Sequence, residues 1–129
     1  MIIFNKIEKP VDIKEAIDYK KISKIKDITK GFILKPNDLV LGITKEKITL
    51  PEDICGWLQS RSRFARVGLM SHITAPFVNP GTESRQVLEI FNAGHNNLKL
   101  HPGIKVCQLV LETCKGKTKY KGKFKAQTL

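Results

Sequence analysis

Arg61, Arg63 and Arg66 fall within one short stretch of a chain that holds four arginines against nineteen lysines. A planar guanidinium grips phosphate or carboxylate in bidentate fashion, so the cluster points to an anionic ligand. Further along, Glu89 interrupts the apolar run Val87-Leu88-Glu89-Ile90-Phe91. In a strand, alternation puts Glu89 on the face carrying Val87 and Phe91, where its carboxylate is either desolvated or paired with a cation. Arg66 is the expected partner. The plain alternative is a structural ion pair beside a solvated basic loop, since such networks also perturb ionisable groups.

The elements that must position these side chains read as short strands. From Gly31 on, apolar runs alternate with turn signals: Phe32–Leu34, Leu39–Ile43, Ile48–Leu50, Ile54–Leu58, Gln86–Phe91, Leu98–Leu100 and Lys105–Thr113. Between them lie Lys35-Pro36-Asn37-Asp38, Asn79-Pro80-Gly81, Asn92–Asn97 and His101-Pro102-Gly103. Such spacing without a convincing amphipathic helix predicts an all-β sandwich or barrel. Ahead of Gly31, Ile2–Phe4 could open a strand, Val11–Ile17 is ambiguous between helix and strand, and Lys20–Lys26 reads as an exposed loop. With 129 residues, 41% of them hydrophobic, the chain forms one domain with a real core, residues 1–129. No apolar run approaches the roughly 18 residues of a membrane span, so a soluble, cytoplasmic protein is expected, with no membrane partner.

Cys55, Cys107 and Cys114 have neither the even number nor the C-x-x-C spacing of a disulfide framework or structural zinc site. Cys107 reads as a small buried hydrophobe. The net charge of +11 first suggests nucleic acid, but the lysines are scattered, only nine residues are aromatic, and no nucleic-acid motif appears. No specific nucleic-acid partner is expected. At 115–125 the lysines occupy every second position, which in an extended chain sets them opposite Tyr120 and Phe124.

Taken together, Leu34-Lys35-Pro36, Leu41-Gly42-Ile43-Thr44-Lys45-Glu46, Leu50-Pro51, Gly56-Trp57-Leu58, Ser60–Leu69, His72-Ile73-Thr74-Ala75, Pro80-Gly81, Leu88-Glu89-Ile90-Phe91-Asn92, Pro102-Gly103 and Gln108-Leu109 resemble the dCTP deaminases of the deoxyuridine triphosphatase superfamily. The resemblance runs from Gly31 to Gln127, about three quarters of the chain. It implies a distorted jelly-roll β-barrel, assembled as a homotrimer with sites between subunits, that hydrolyses dCTP to dUTP and ammonia and could also take dUTP or dTTP. The H-x-E and P-C-x-x-C ligands of zinc deaminases are absent. By resemblance Glu89 is the general base, Arg66 orients it, and Ser62 with the Ala75 carbonyl holds the attacking water. Arg61, with Arg63 beside it, would bind the triphosphate, and Tyr120, Lys123 and Gln127 belong to a closing segment at 115–129 that bends at Gly122. Mg2+ would be carried by the substrate phosphates rather than a protein cage.

The chain departs from that pattern in three places. The S-x-D-L-R-L-G nucleoside motif has no counterpart before Gly31, Arg63 stands where the family has serine, and Ser84 replaces a glycine of a turn that can call for positive φ. Two other readings therefore stay open. One is a non-catalytic member that binds nucleotide or protein. The other is a dUTP diphosphohydrolase, which needs a carboxylate where this chain has Asn79. His72, His101 and Trp57 read as loop or core residues and stay outside the expected site.

Overall fold

The computed structural model describes residues 1–13 and 18–122. Twelve strands run through them: β1 (Ile2–Phe4), β2 (Ser23–Ile25), β3 (Phe32–Leu34), β4 (Leu39–Ile43), β5 (Ile48–Thr49), β6 (Ile54–Ser60), β7 (Leu69–Met70), β8 (Phe77–Val78), β9 (Glu83–Ser84), β10 (Val87–Asn92), β11 (Leu98–Leu100) and β12 (Cys107–Thr113). One short helix, α1 (Ser62–Ala65), and a 3-10 turn at Tyr19–Ile22 complete the regular structure of these residues. The all-β expectation holds.

A five-stranded sheet, ordered β2-β1-β4-β10-β7, faces a three-stranded sheet ordered β12-β6-β8, with the pairs β11-β3 and β5-β9 at the sides. Each pairing is antiparallel. Alternation sends Val40, Leu88 and Ile90 of the larger sheet inward to meet Leu58 of the smaller one, and Leu34, Leu50, Leu69, Val78 and Leu100 complete the cluster. Burying each such side chain contributes roughly 1.5–3 kcal/mol, and this interior is what holds the sheets together.

Asn92 is the polar exception, with 0% exposure at the end of β10. Its Nδ2 donates to the carbonyls of Leu34 at 3.0 Å and Asn96 at 2.9 Å, and its Oδ1 accepts from the Gly94 amide at 2.9 Å. A fully satisfied amide thus joins β3, β10 and the following turn, which is why a polar residue stands at this inward position.

Several local expectations need correction. Lys20–Lys26 is exposed over much of its length but is not a loop: the 3-10 turn leads into β2, which pairs with β1 through Ile25↔Ile2. β7, β8 and β9 are two residues each, too short to leave an alternation signal. Ser84, set where a positive φ was in question, is extended in β9 opposite Ile48 and is 6% exposed. Val11–Ile13 carry no regular structure, and the rest of that ambiguous stretch, 14–17, lies outside the described residues. Residues 115–122 form no strand, although Lys115, Lys117, Lys119 and Lys121 are exposed and Tyr120 is half-buried. Among the described residues no helix is long and apolar enough to cross a membrane.

Candidate active site

β10 sets the position of Glu89. The strand alternates half-buried Val87, Glu89 and Phe91 with buried Leu88, Ile90 and Asn92. Glu89 therefore shares a face with Val87 and Phe91, as alternation predicted, and that face is the outer one. Directly opposite on β4 is Leu41, only 7% exposed, and beyond it on β1 is Ile2, at 3%. The carboxylate thus stands on a sheet face that is otherwise apolar along this row.

The expected partner does not reach it. Arg66 is exposed, and among the described residues no salt bridge joins Arg66 to Glu89. The reason lies in how α1 is anchored. Arg66 ends the helix, its amide donating to the Ser62 carbonyl at 3.0 Å. Two residues later Gly68 turns the chain with φ of +86°, and its carbonyl accepts from the Ala93 amide at 2.8 Å. Leu69 and Met70 then pair with Asn92 and Phe91. The helix is tied to the far end of β10, past Asn92, while Glu89 sits in mid-strand. A Cβ on Gly68 would collide with the backbone of Gly94, so glycine meets both a steric and a conformational need here.

Ser62 opens α1 and, like Arg63, is exposed. Ala75 lies in the crossover between β7 and β8, where the Pro76 carbonyl accepts from the Leu58 amide at 2.8 Å. Among the described residues the Ala75 carbonyl accepts no backbone hydrogen bond outside the strands. Arg61 takes another direction: its Nη1 donates to the Lys105 carbonyl at 3.2 Å, and it lines a cavity whose wall includes Leu88 and Ile90, the inward residues of β10. Within one chain, then, Arg61 borders the inner side of β10 and Glu89 the outer side.

The C-terminal segment is held by its backbone. Amides of Cys114, Thr118 and Tyr120 donate to the carbonyls of Asp53 at 2.8 Å, Glu52 at 2.8 Å and Pro80 at 3.1 Å. At Gly122, whose φ lies outside the left-handed region, the Tyr120 ring folds back so closely that a Cβ would meet its hydroxyl and the ring would have to shift. Lys123 and Gln127 lie outside the described residues.

Two side chains set aside on sequence grounds acquire interest. His72, in the same crossover as Ala75, buries Nδ1 with no hydrogen-bond partner among the described residues. A buried imidazole nitrogen without a partner, three residues before Ala75 in the chain, is a group whose hydrogen bonding is unmet. Its only sequence signal was membership of His72-Ile73-Thr74-Ala75. Trp57 packs edge-on against Phe77 with centroids 4.9 Å apart and donates from Nε1 to Glu112 at 3.1 Å, so it does serve packing, but on the exposed face of β6.

A sequence profile described as dCTP deaminase-like matches residues 2–114. The chain belongs to the dCTP deaminase-like family. Among curated members, the dCTP deaminase of Tolumonas auensis is 48% identical over 85 residues, covering 66% of this chain and 44% of that protein. The dCTP deaminase of a Marinomonas species is 45% identical over 87 residues, 67% of this chain and 45% of that one. This chain thus matches less than half the length of those deaminases. The fold is shared more widely. A 2'-deoxycytidine 5'-triphosphate deaminase from Agrobacterium tumefaciens superposes with a TM-score of 0.66 at 23% identity, over 78% of this chain and 32% of that one. Native EIAV dUTPase superposes with a TM-score of 0.59 at 22% identity, over 93% and 94%. The jelly-roll architecture inferred from the motifs is therefore that of this dCTP deaminase-like chain.

Proposed function

We propose that this chain deaminates dCTP, with Glu89 as the proton carrier. The observation that supports this reading best is Glu89 itself: a half-buried carboxylate in mid-strand on an apolar sheet face, with no salt bridge of its own among the described residues. A structural carboxylate at such a place would ordinarily be paired, because an unpaired charge is costly where water is scarce. A carboxylate kept free suits a group that must accept and return protons.

The chemistry balances as one water in and one ammonia out. Water, held by the Ser62 hydroxyl and the Ala75 carbonyl, adds its oxygen to C4 of the cytosine ring while Glu89 takes a proton from it. Glu89 passes that proton to N3. The tetrahedral centre then collapses as the C4–N4 bond breaks, the departing amine takes up the remaining hydroxyl proton, and a C4 carbonyl remains. The products are dUTP and ammonia, and general acid–base catalysis of this kind contributes about 10²–10⁴-fold. Arg61 and Arg63 supply guanidinium groups for the triphosphate. Mg2+ enters with the triphosphate as part of the substrate, and the step is written without zinc because the sequence carries neither the H-x-E nor the P-C-x-x-C ligands of the zinc deaminases.

The division of Arg61 from Glu89 across β10 supports a site completed between copies of the chain in a homotrimer. Arg66 standing off Glu89 favours a second reading, a non-catalytic nucleotide-binding member. One experiment separates the two. Purified protein with Mg2+ and dCTP should release ammonia without pyrophosphate, and Glu89→Gln should still bind dCTP in calorimetry while losing at least about 10²-fold in turnover. Tight dCTP binding with no ammonia from the unaltered protein would establish the non-catalytic reading, and ammonia release undiminished in Glu89→Gln would remove Glu89 from the mechanism.

A further inference from the structure

The inner side of β10 borders a cavity of about 750 Å³, and of its lining the nucleotide reading uses Arg61 alone. Protein interiors seldom leave voids much larger than a water molecule, whereas small-molecule pockets span roughly 300–1,000 Å³. Leu58, Leu88, Ile90 and Leu100, each no more than 6% exposed, form its floor. The lining contains no Phe, Tyr or Trp, and its floor is aliphatic throughout. Its rim has the opposite character. Lys45, Arg61 and Lys105 stand there against a single carboxylate, Glu46. Among the described residues neither Lys45 nor Lys105 has an acidic partner.

We infer that this cavity binds a single-chain amphiphilic anion, a hydrocarbon tail ending in a carboxylate, with the tail on the leucine floor and the head among the rim cations. The aliphatic floor selects the tail by burial of apolar surface, and the three cations select the sign of the head. The cavity carries its own reporter. Cys107 lies in the wall, and burial, with a further push from the Glu46 carboxylate, holds its thiol above the ordinary range and so in the protonated, slowly alkylating form.

The test uses dodecanoate below its micelle-forming concentration, with dodecan-1-ol and acetate as controls and no nucleotide present, so its outcome does not depend on deamination. Dodecanoate should bind saturably in calorimetry, acetate should not, and bound dodecanoate should slow alkylation of Cys107 as mapped by peptide mass. Ile104→Trp, at a rim position 41% exposed and hence tolerant of substitution, should close the mouth and weaken dodecanoate about tenfold or more. Lys45→Glu with Lys105→Glu should weaken dodecanoate by a similar factor and leave dodecan-1-ol unchanged. The proposal is overturned by any of four results: no saturable binding; binding that ignores Ile104→Trp in a variant whose unfolding midpoint is unchanged; Cys107 protection without ligand that disappears on dilution, which would mean that a second copy fills the cavity; or uptake from phosphatidylglycerol vesicles alone, which would assign the effect to the lysine-rich surface.

Discussion

At the scale of single residues, the three clustered arginines fare differently once folded. Arg61 is turned onto the Lys105 carbonyl, whereas Arg63 and Arg66 are exposed. If Arg61 grips the triphosphate with both arms of its fork, Arg61→Lys keeps the charge and loses the geometry. Triphosphate affinity in calorimetry should then fall by about 1–3 kcal/mol, the scale of a charge-assisted hydrogen bond. Unchanged affinity would move the phosphate site elsewhere on the basic surface. The face that carries Glu89 was legible from alternation alone. Its missing partner was not, because proximity of Arg66 depends on where α1 is anchored, and that anchor is a backbone hydrogen bond from Ala93 to Gly68 that has no compositional signature.

At the scale of elements, strands of three or more residues were readable wherever apolar runs met turn residues, from Phe32–Leu34 to β12. The two-residue β7, β8 and β9 and the four-residue α1 were not, since a repeat must recur before it becomes a pattern. The join between α1 and β10 is where a single substitution speaks most plainly. Gly68→Ala has to adopt φ of +86° and push its methyl into Gly94. Gly116→Ala faces the same kind of conformational demand, φ of +101°, with no atom within 4 Å. Both changes should lower stability in urea titrations. The second should cost about 1 kcal/mol for strained backbone alone, and the first clearly more because the steric term adds to it. Equal losses would show that Gly94 yields and that the close approach does not hold the helix in place.

At the scale of the whole molecule, the outer face of the five-stranded sheet is apolar around Glu89, and Arg61 belongs to the other side of the same strand. A site that needs both groups calls for more than one chain. Light scattering should return a trimer of 14.6 kDa chains. If the sites are shared, Glu89→Gln and Arg61→Ala proteins, each inactive alone, should regain ammonia release when unfolded together and refolded as mixed trimers. A monodisperse, active monomer would end the shared-site account, and mixed trimers as inactive as their parents would assign both groups to one chain. The same two-sidedness of β10 acts as a folding check. Because side chains alternate, pairing β10 with β4 one residue out of step would swing Glu89 into the leucine-lined interior and turn Leu88, Ile90 and Asn92 toward the surface. Such a misregistered chain strands a carboxylate in oil and breaks the Asn92 amide bonds at once, so the error is expelled by its own energetics. The residue on which catalysis would depend is also the residue that proofreads the strand that carries it.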